Sequence, residues 1–476
     1  MKIKLGLGKT NMERIAEWCG GELYDFTRGA DNSFEYVCTD SREADADTLF
    51  VATRGERVDG HDYILKAIEQ GCRCILCEYV PTNISGKMAA YVVVENSIDA
   101  FADCAKGYRS GLYMPTVAIT GSVGKTTTKE LCAAIMKRHC KTYFTEGNFN
   151  SVIGMPMSLM QASGDSAAAV FEMGMSGFGE IKRMTYAANP TVAMVTNVGS
   201  SHLEYLGTRE NIAKAKLEIG EGIIEGGYLL LNGDEILLAD HYSERYETLY
   251  VGFETLADRD VHCGTKIMNV KVESDGTRFT LRLLDTMLFD LKIALVGKHF
   301  AYNAAFAATA AYLLGASEDE IREGLASYIP TGLRMNVYEK GGVTIVADCY
   351  NAAPESMRGA IDTLASISPE GKRVAVLGDM KELGSLSDSL HASVGEYLAR
   401  KGIDELFTVG GSGALIAGAA LEAGMSRDSV TVLDEALGAS EIAKAIKKKA
   451  AAGDAILFKA SRAMRFEEII EAIFAD

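Results

Sequence analysis

The sequence predicts an α/β protein of three domains, on three observations. The chain has 476 residues, which at roughly 100–200 residues per domain is too long for one small binding module. From Thr116 onward, short apolar strands alternate with helical patterns. Beyond Ile329-Pro330-Thr331-Gly332 that alternation restarts. A strand–helix alternation of this kind marks βαβ units, in which a mostly parallel sheet is covered on both faces.

Composition narrows the class. Hydrophobic residues make up 48% and charged residues 24%, and the formal net charge is −17. Those proportions exclude wholesale disorder, and a surface this acidic argues against general nucleic-acid or anionic-membrane binding. The longest apolar stretch, Ala304 to Ala316, falls short of the roughly 20 residues a bilayer span needs. The opening residues lack the apolar core of a signal peptide, so a cytoplasmic protein without membrane insertion is expected. Ten cysteines then read as reduced thiols. Cys72, Cys74 and Cys77 tempt as a zinc site, but the nearest histidine is His61. The run Cys74-Ile75-Leu76-Cys77 reads better as a buried strand using cysteine as a small hydrophobe.

The elements follow in order. Residues 1–112 mix short strands (Leu49 to Val51, Ala90 to Val94) with a helical pattern from Tyr63 to Gln70. Residues 113–330 carry strands at Val117 to Thr120, Ala168 to Phe171 and Val192 to Thr196, and helices at Thr126 to Arg138 and Glu210 to Glu218. Residues 331–476 carry strands at Val343 to Ala347, Arg373 to Leu377, Glu405 to Val409 and Ala455 to Phe458. Lys447, Lys448 and Lys449 lie in a helical pattern beginning near Glu441 and read as a solvated face.

The strongest local signal runs from Val117 through Gly121-Ser122-Val123-Gly124-Lys125-Thr126-Thr127-Thr128. A strand enters a Gly-rich turn and leaves as a helix, so backbone N–H groups and the helix N-terminus converge on phosphate oxygens. Lys125 is placed to reach the β- and γ-phosphates, and the Thr126 hydroxyl to ligate Mg²⁺. Ile119 stands where the strict motif has its first glycine, so this is a variant P-loop, and ATP is the expected ligand. Glu172 ends a strand, where a carboxylate either holds Mg²⁺ or simply faces water. His202, in Asn197-Val198-Gly199-Ser200-Ser201-His202, is by itself an ordinary structural histidine. Lys214 and Lys216 read as a solvated helix face.

Taken in order, these segments resemble the Mur ligases, the ATP-dependent amide-forming enzymes that build the peptide stem of the peptidoglycan precursor. The resemblance rests on TGSVGKTT, on FEMGMSGFGEI (Phe171 to Ile181), on TNVGSSHLEYLGTRENIAKAKLEI (Thr196 to Ile219) and on VGKHFAYNAAFAA (Val296 to Ala308). GLRMNVYE, DCYNAAPESM, LGDMKELG and FKASR extend it to Arg462. Within the family, YNAAP and the stretch Thr39 to Tyr63 resemble most the branch joining D-alanyl-D-alanine to UDP-N-acetylmuramoyl tripeptide. The D-N-P-R sequence of the diamino-acid branch is absent. Folylpolyglutamate synthase shares the central and C-terminal layout but not the uridine-binding N-terminal region. A non-ligating P-loop NTPase would need no set of Glu172, His202 and Lys216.

The resemblance implies a central P-loop-type sheet and a Rossmann-like C-terminal α/β domain. It implies that residues 1–112 bind the UDP end through Ser41 and Arg42, that residues 113–330 bind ATP, and that residues 331–476 bring the incoming amine. Lys125 and Thr126 would sit on the phosphates and a first Mg²⁺ that Glu172 also ligates. His202 and Lys216, the latter as an N-carbamate, would hold a second Mg²⁺. Asn303, Arg334 and Asp348 match positions contacting adenine, phosphate and ribose. No general base stands out, and a monomer is expected. Three departures mark a divergent member: Phe300 replaces an asparagine of the adenine motif, Ala347 precedes Asp348 in the acidic pair, and Ala353 replaces an asparagine.

Overall fold

The computed structural model describes residues 1–24, 32–55, 58–82, 89–239, 241–253, 264–284, 287–330 and 333–475. Thr331 and Gly332, at the expected second domain boundary, lie outside the described residues. Among the described residues three large sheets and one two-stranded pair (Thr10–Asn11 with Ser33–Phe34) organise the chain, and the strands of the large sheets fall within residues 2–93, 116–293 and 336–459.

The first sheet has six strands in the order Lys2–Lys4, Tyr36–Cys38, Thr48–Val51, Cys74–Cys77, Ala90–Val93, Glu22–Tyr24. Its four inner strands are parallel and its two edge strands antiparallel. Cys74–Cys77 is buried along its whole length. Cys72 Sγ donates to the Thr48 carbonyl at 3.1 Å, and burial pushes the Cys77 thiol up to about 12. His61 is held elsewhere, its Nε2 accepting from the Glu78 N–H at 2.9 Å. These cysteines therefore pack as small hydrophobes.

The central sheet has nine strands, ordered Thr142–Phe144, Ala168–Glu172, Thr116–Thr120, Val192–Val195, Tyr228–Asn232, Glu247–Phe253, Thr265–Glu273, Gly276–Leu283, Met287–Ile293. Its first seven strands are parallel. Side-chain alternation explains the two layers around it. Val117 and Ile119 pack with Leu131, Ile135 and Phe306 on one face, and Ala118 packs with Phe171, Met184 and Ala193 on the other. The apolar stretch from Ala304 lies in the buried helix Phe300–Leu313. Among the described residues no helix is long and apolar enough to cross a membrane. The sheet ends in an antiparallel ribbon from Thr265 to Ile293 that the sequence reading did not anticipate. Buried side chains alternate there with part-exposed and exposed ones, so it lacks the continuous apolar runs of the parallel strands.

The third sheet is ordered Asn336–Lys340, Val343–Ala347, Ala455–Lys459, Arg373–Gly378, Glu405–Val409, Val430–Leu433, parallel except for its first pair. That pair is a hairpin turned by Gly341 and Gly342 at φ 60° and 75°, the double positive φ a two-residue hairpin loop of this twist requires. The Lys-rich helix runs from Gly438 to Lys447. Its face is solvated at Lys447 and Lys448, while Lys449 beyond it pairs with Glu405 at 3.2 Å.

Candidate active site

Parallel strands deliver their loops to one sheet edge, and the cleft sits where the carboxyl edges of the second and third sheets meet. It encloses about 610 Å³. Ser122 to Thr127 line it with Glu172, His202 and Asn303 from the central unit and Arg334 and Asp348 from the last.

The loop after Thr116–Thr120 is shaped by two close approaches. A Cβ on Gly121 would lie 1.9 Å from Thr196 Oγ1, and one on Gly124 would lie 2.3 Å from Asn303 Nδ2, where φ is already 82°. Asn197 Oδ1 braces the loop by accepting from the N–H groups of Ser122 (3.1 Å) and Val123 (2.9 Å). The helix Lys125–His139 starts directly after it. The N–H groups of its first turn have no intrahelical acceptors, so they are available to phosphate oxygens.

Lys125 folds back over the loop, its Nζ donating to the Gly121 carbonyl at 2.7 Å. Burial lowers its pKa, and the Glu172 carboxylate partly restores it. Glu172 does not face water; it is 2% exposed. Its Oε2 accepts from Thr126 Oγ1 and its Oε1 from Asn150 Nδ2, both at 2.8 Å. Thr126 and Glu172 thus offer two adjacent oxygens, the hard donors Mg²⁺ prefers. Among the described residues no three His, Cys, Asp or Glu side chains gather as a metal site. A metal here would complete its shell with phosphate oxygens and water, as Mg²⁺ commonly does.

His202 takes a left-handed backbone (φ 62°) that turns the chain into a short helix. Its Nδ1 lies 2.7 Å from Glu382 Oε2. Lys216 does not line the cleft and is no solvated lysine: it is 1% exposed, whereas Lys214, on the same helix, is exposed. No hydrogen bond or ion pair reaches the Lys216 ammonium among the described residues. Burial and the charge of Lys125 push its pKa well down. As an ammonium it does not fit a cation site. As a neutral amine it is suited to becoming a carbamate, which would.

On the opposite wall Asp348 accepts from Lys459 Nζ at 2.5 Å and from the Met335 N–H at 3.2 Å. Lys459 is 1% exposed, and Arg334 stacks 3.8 Å over the Tyr350 ring. Asn303 Nδ2 donates to the Gly124 carbonyl (3.0 Å) and to Thr128 Oγ1 (2.8 Å), tying the buried helix to the loop. Phe300 packs into the core with its ring 4.0 Å from that of His299. Burial lowers His299 to about 4. Ala347 is buried at its strand end, and Ala353 caps the helix Pro354–Ser366. Ser41 and Arg42 do not line the cleft. Ser41 is buried in a short turn of the first unit, and Arg42 is exposed and paired with Asp40 at 2.6 Å. The sequence reading did not single out Asn150, Asn197, Lys459, Glu355 or Glu382; all but Asn150 stood inside a quoted segment, but only spatial partners mark them.

Comparison with known proteins gives consistent matches. Family models match for the Mur ligase middle domain (residues 119–311), the Mur ligase glutamate ligase domain (333–462) and the Mur ligase family catalytic domain (33–109). The UDP-N-acetylmuramoyl-tripeptide–D-alanyl-D-alanine ligase of Bacillus subtilis is 36% identical over 97% of this chain and 98% of its own. The crystal structure of MurF from Acinetobacter baumannii superposes with a TM-score of 0.87 at 26% identity, covering 98% of this chain and 99% of that one. MurF ligase from Thermotoga maritima in complex with ADP gives 0.79 at 31% identity, covering 92% and 96%.

Proposed function

The chain belongs to the Mur ligase family, and from that membership we propose how its cleft performs the ligation. The protein is an ATP-dependent, ADP-forming ligase that adds D-alanyl-D-alanine to UDP-N-acetylmuramoyl tripeptide, giving the pentapeptide precursor of peptidoglycan. The observation that carries the reading is the Lys125–Thr126–Glu172 constellation, closed over by Arg334, Asp348 and Lys459.

A carboxylate is a poor electrophile, so its oxygen must first become a leaving group. The terminal carboxylate of the tripeptide takes the γ-phosphoryl of ATP, giving an acyl phosphate and ADP. In our reading the loop from Gly121 to Thr127 cradles the phosphates, and Lys125 neutralises charge on the group in transfer. Asn303, Arg334 and Asp348 hold the rest of the nucleotide. Thr126 and Glu172 would hold one Mg²⁺, and His202 with carbamylated Lys216 a second. Bound there, Mg²⁺ supplies electrostatic stabilisation of the transferring phosphoryl. The amine of D-alanyl-D-alanine then attacks the acyl carbon, and phosphate leaves.

Residues 1–112 hold the UDP end of the substrate through Ser41 and Arg42, residues 113–330 hold ATP, and residues 331–476 bring the amine. Closure of the last domain over the loop excludes water from the acyl phosphate. In our reading the protein works in the cytoplasm as a monomer. The test is phosphate release from ATP with Mg²⁺, with tripeptide and dipeptide supplied singly and together. Release requiring both, with a product heavier by the dipeptide minus water, is expected. Release independent of both would leave only an NTPase.

A further inference from the structure

Ligation needs a group that takes a proton from the incoming ammonium, and the cleft singles one out. Among the described residues four carboxylates line it: Glu172, Glu180, Asp348 and Glu355. Glu172 is spanned by Thr126 and Asn150. Glu180 accepts from the N–H groups of Ser176 (3.2 Å) and Gly177 (2.9 Å). Asp348 is held by Lys459 and the Met335 N–H. Among the described residues that line the cleft, Glu355 alone keeps one oxygen free. Its Oε1 accepts from Ser200 Oγ at 2.8 Å, whereas its Oε2 is buried with no hydrogen-bond partner. A buried carboxylate oxygen without a donor is costly and calls for an explanation such as a catalytic role.

Its position fits that role. Glu355 stands in the first turn of Pro354–Ser366, on the domain that brings the amine in the ligase reading. Oε2 lies against Gly199, where an added Cβ would be 2.8 Å away. The Gly199 N–H in turn donates to Ser122 Oγ of the phosphate loop at 2.8 Å. The free oxygen therefore sits one residue from the loop that holds the transferring phosphoryl.

Resting on the ligase reading, we propose that Glu355 receives the ammonium group of the incoming amine and removes its first proton. The ammonium gives one proton to the Glu355 carboxylate. The nitrogen lone pair then forms the N–C bond to the acyl carbon, and the C–O bond to phosphate breaks with its electrons going to phosphate. The second amine proton leaves with the phosphate, and Glu355 later returns its proton to solvent.

The test compares two nucleophiles: the dipeptide, which arrives as an ammonium, and hydroxylamine, which is largely neutral near pH 7 and traps the acyl phosphate as a hydroxamate. Glu355→Gln keeps an oxygen for Ser200 but removes the charge. Dipeptide ligation should fall about 100-fold or more in kcat, while hydroxamate formation stays within about twofold of wild type. Ser200→Ala, which leaves the carboxylate, should retain more than roughly a tenth of the wild-type dipeptide rate. The proposal is overturned if Glu355→Gln ligates dipeptide within about threefold of wild type, if both nucleophiles lose equally, or if Ser200→Ala loses as much as Glu355→Gln. Wild-type protein is the control for the ligase reading. Failure of wild type to ligate the dipeptide would sink that reading, whereas a normal wild type beside a normal Glu355→Gln sinks only the role of Glu355.

Discussion

Lys214 and Lys216 stand two positions apart on one helix, yet only the first reaches water. Burial without an anionic partner makes the ammonium form of Lys216 unfavourable. A neutral amine adds carbon dioxide to give an anionic, two-oxygen carbamate. On the metal-ligand role we propose for it, Lys216→Ala should therefore lose on the order of 100-fold or more in turnover, the effect of losing a ligand to a charge-stabilising cation. Isotope-labelled bicarbonate should give a carbamate carbonyl resonance in the wild-type protein and none in the variant. His299 offers a second prediction with a definite sign. Burial lowers its pKa from 6.5 to about 4. Between those values the unfolded chain binds a proton that the native state does not, so this contribution is complete above pH 6.5 and fades as pH falls towards 4. The loss is at most about 3 kcal/mol. Denaturant melts from pH 7 down to pH 4 should show a shallower decline in His299→Gln than in wild type; parallel curves would show that His299 is not the group responsible.

The phosphate loop depends on a glycine at the element that carries it. At Gly124 a side chain would meet both a left-handed φ of 82° and Asn303 Nδ2 at 2.3 Å. Gly124→Ala should bind nucleotide about 10- to 100-fold more weakly, from roughly 1–3 kcal/mol of strain, with the overall fold retained. Nucleotide titration and circular dichroism together check this. The loop was legible in the sequence because strand, glycines, lysine and helix are contiguous. The parallel strands were legible for a similar reason, since burial on both faces leaves unbroken apolar runs such as Val117 to Ile119. The ribbon from Thr265 to Ile293 was not, because charges such as Lys271 and Arg278 interrupt its pattern. Glu172, His202 and Lys216 are individually ordinary and acquired meaning only as an ordered set. Lys459 and Glu355 stayed silent because their partners, Asp348 and Ser200, lie 111 and 155 residues away. Local pattern carries no trace of such pairings.

At the scale of the whole molecule, the central and last domains meet along the loop Gly199 to Glu204. Ser200 binds Glu355, His202 approaches Glu382, and the Glu204 N–H donates to the Glu382 carbonyl at 3.2 Å. Both His202 and Glu382 adopt left-handed backbone conformations, with φ of 62° and 63°. Non-glycine residues hold that conformation only when their surroundings enforce it. The seam thus ends in two constrained residues whose side chains meet across it. If His202 is a metal ligand, Glu382 does for it what outer carboxylates do for metal-bound histidines: it fixes the ring's orientation through the other nitrogen. The metal site would then be finished only when the last domain is in place, which couples phosphoryl transfer to the arrival of the domain that we propose brings the amine. Glu382→Ala should raise the Mg²⁺ concentration needed for half-maximal ligation by about 10- to 100-fold. The KM for UDP-N-acetylmuramoyl tripeptide, whose uridine end we assign to the first domain, should change little. Mg²⁺ titrations of both proteins at saturating ATP decide the point. An unchanged Mg²⁺ requirement would show that the His202–Glu382 pair only latches the domains, and that the metal site is complete without the last one.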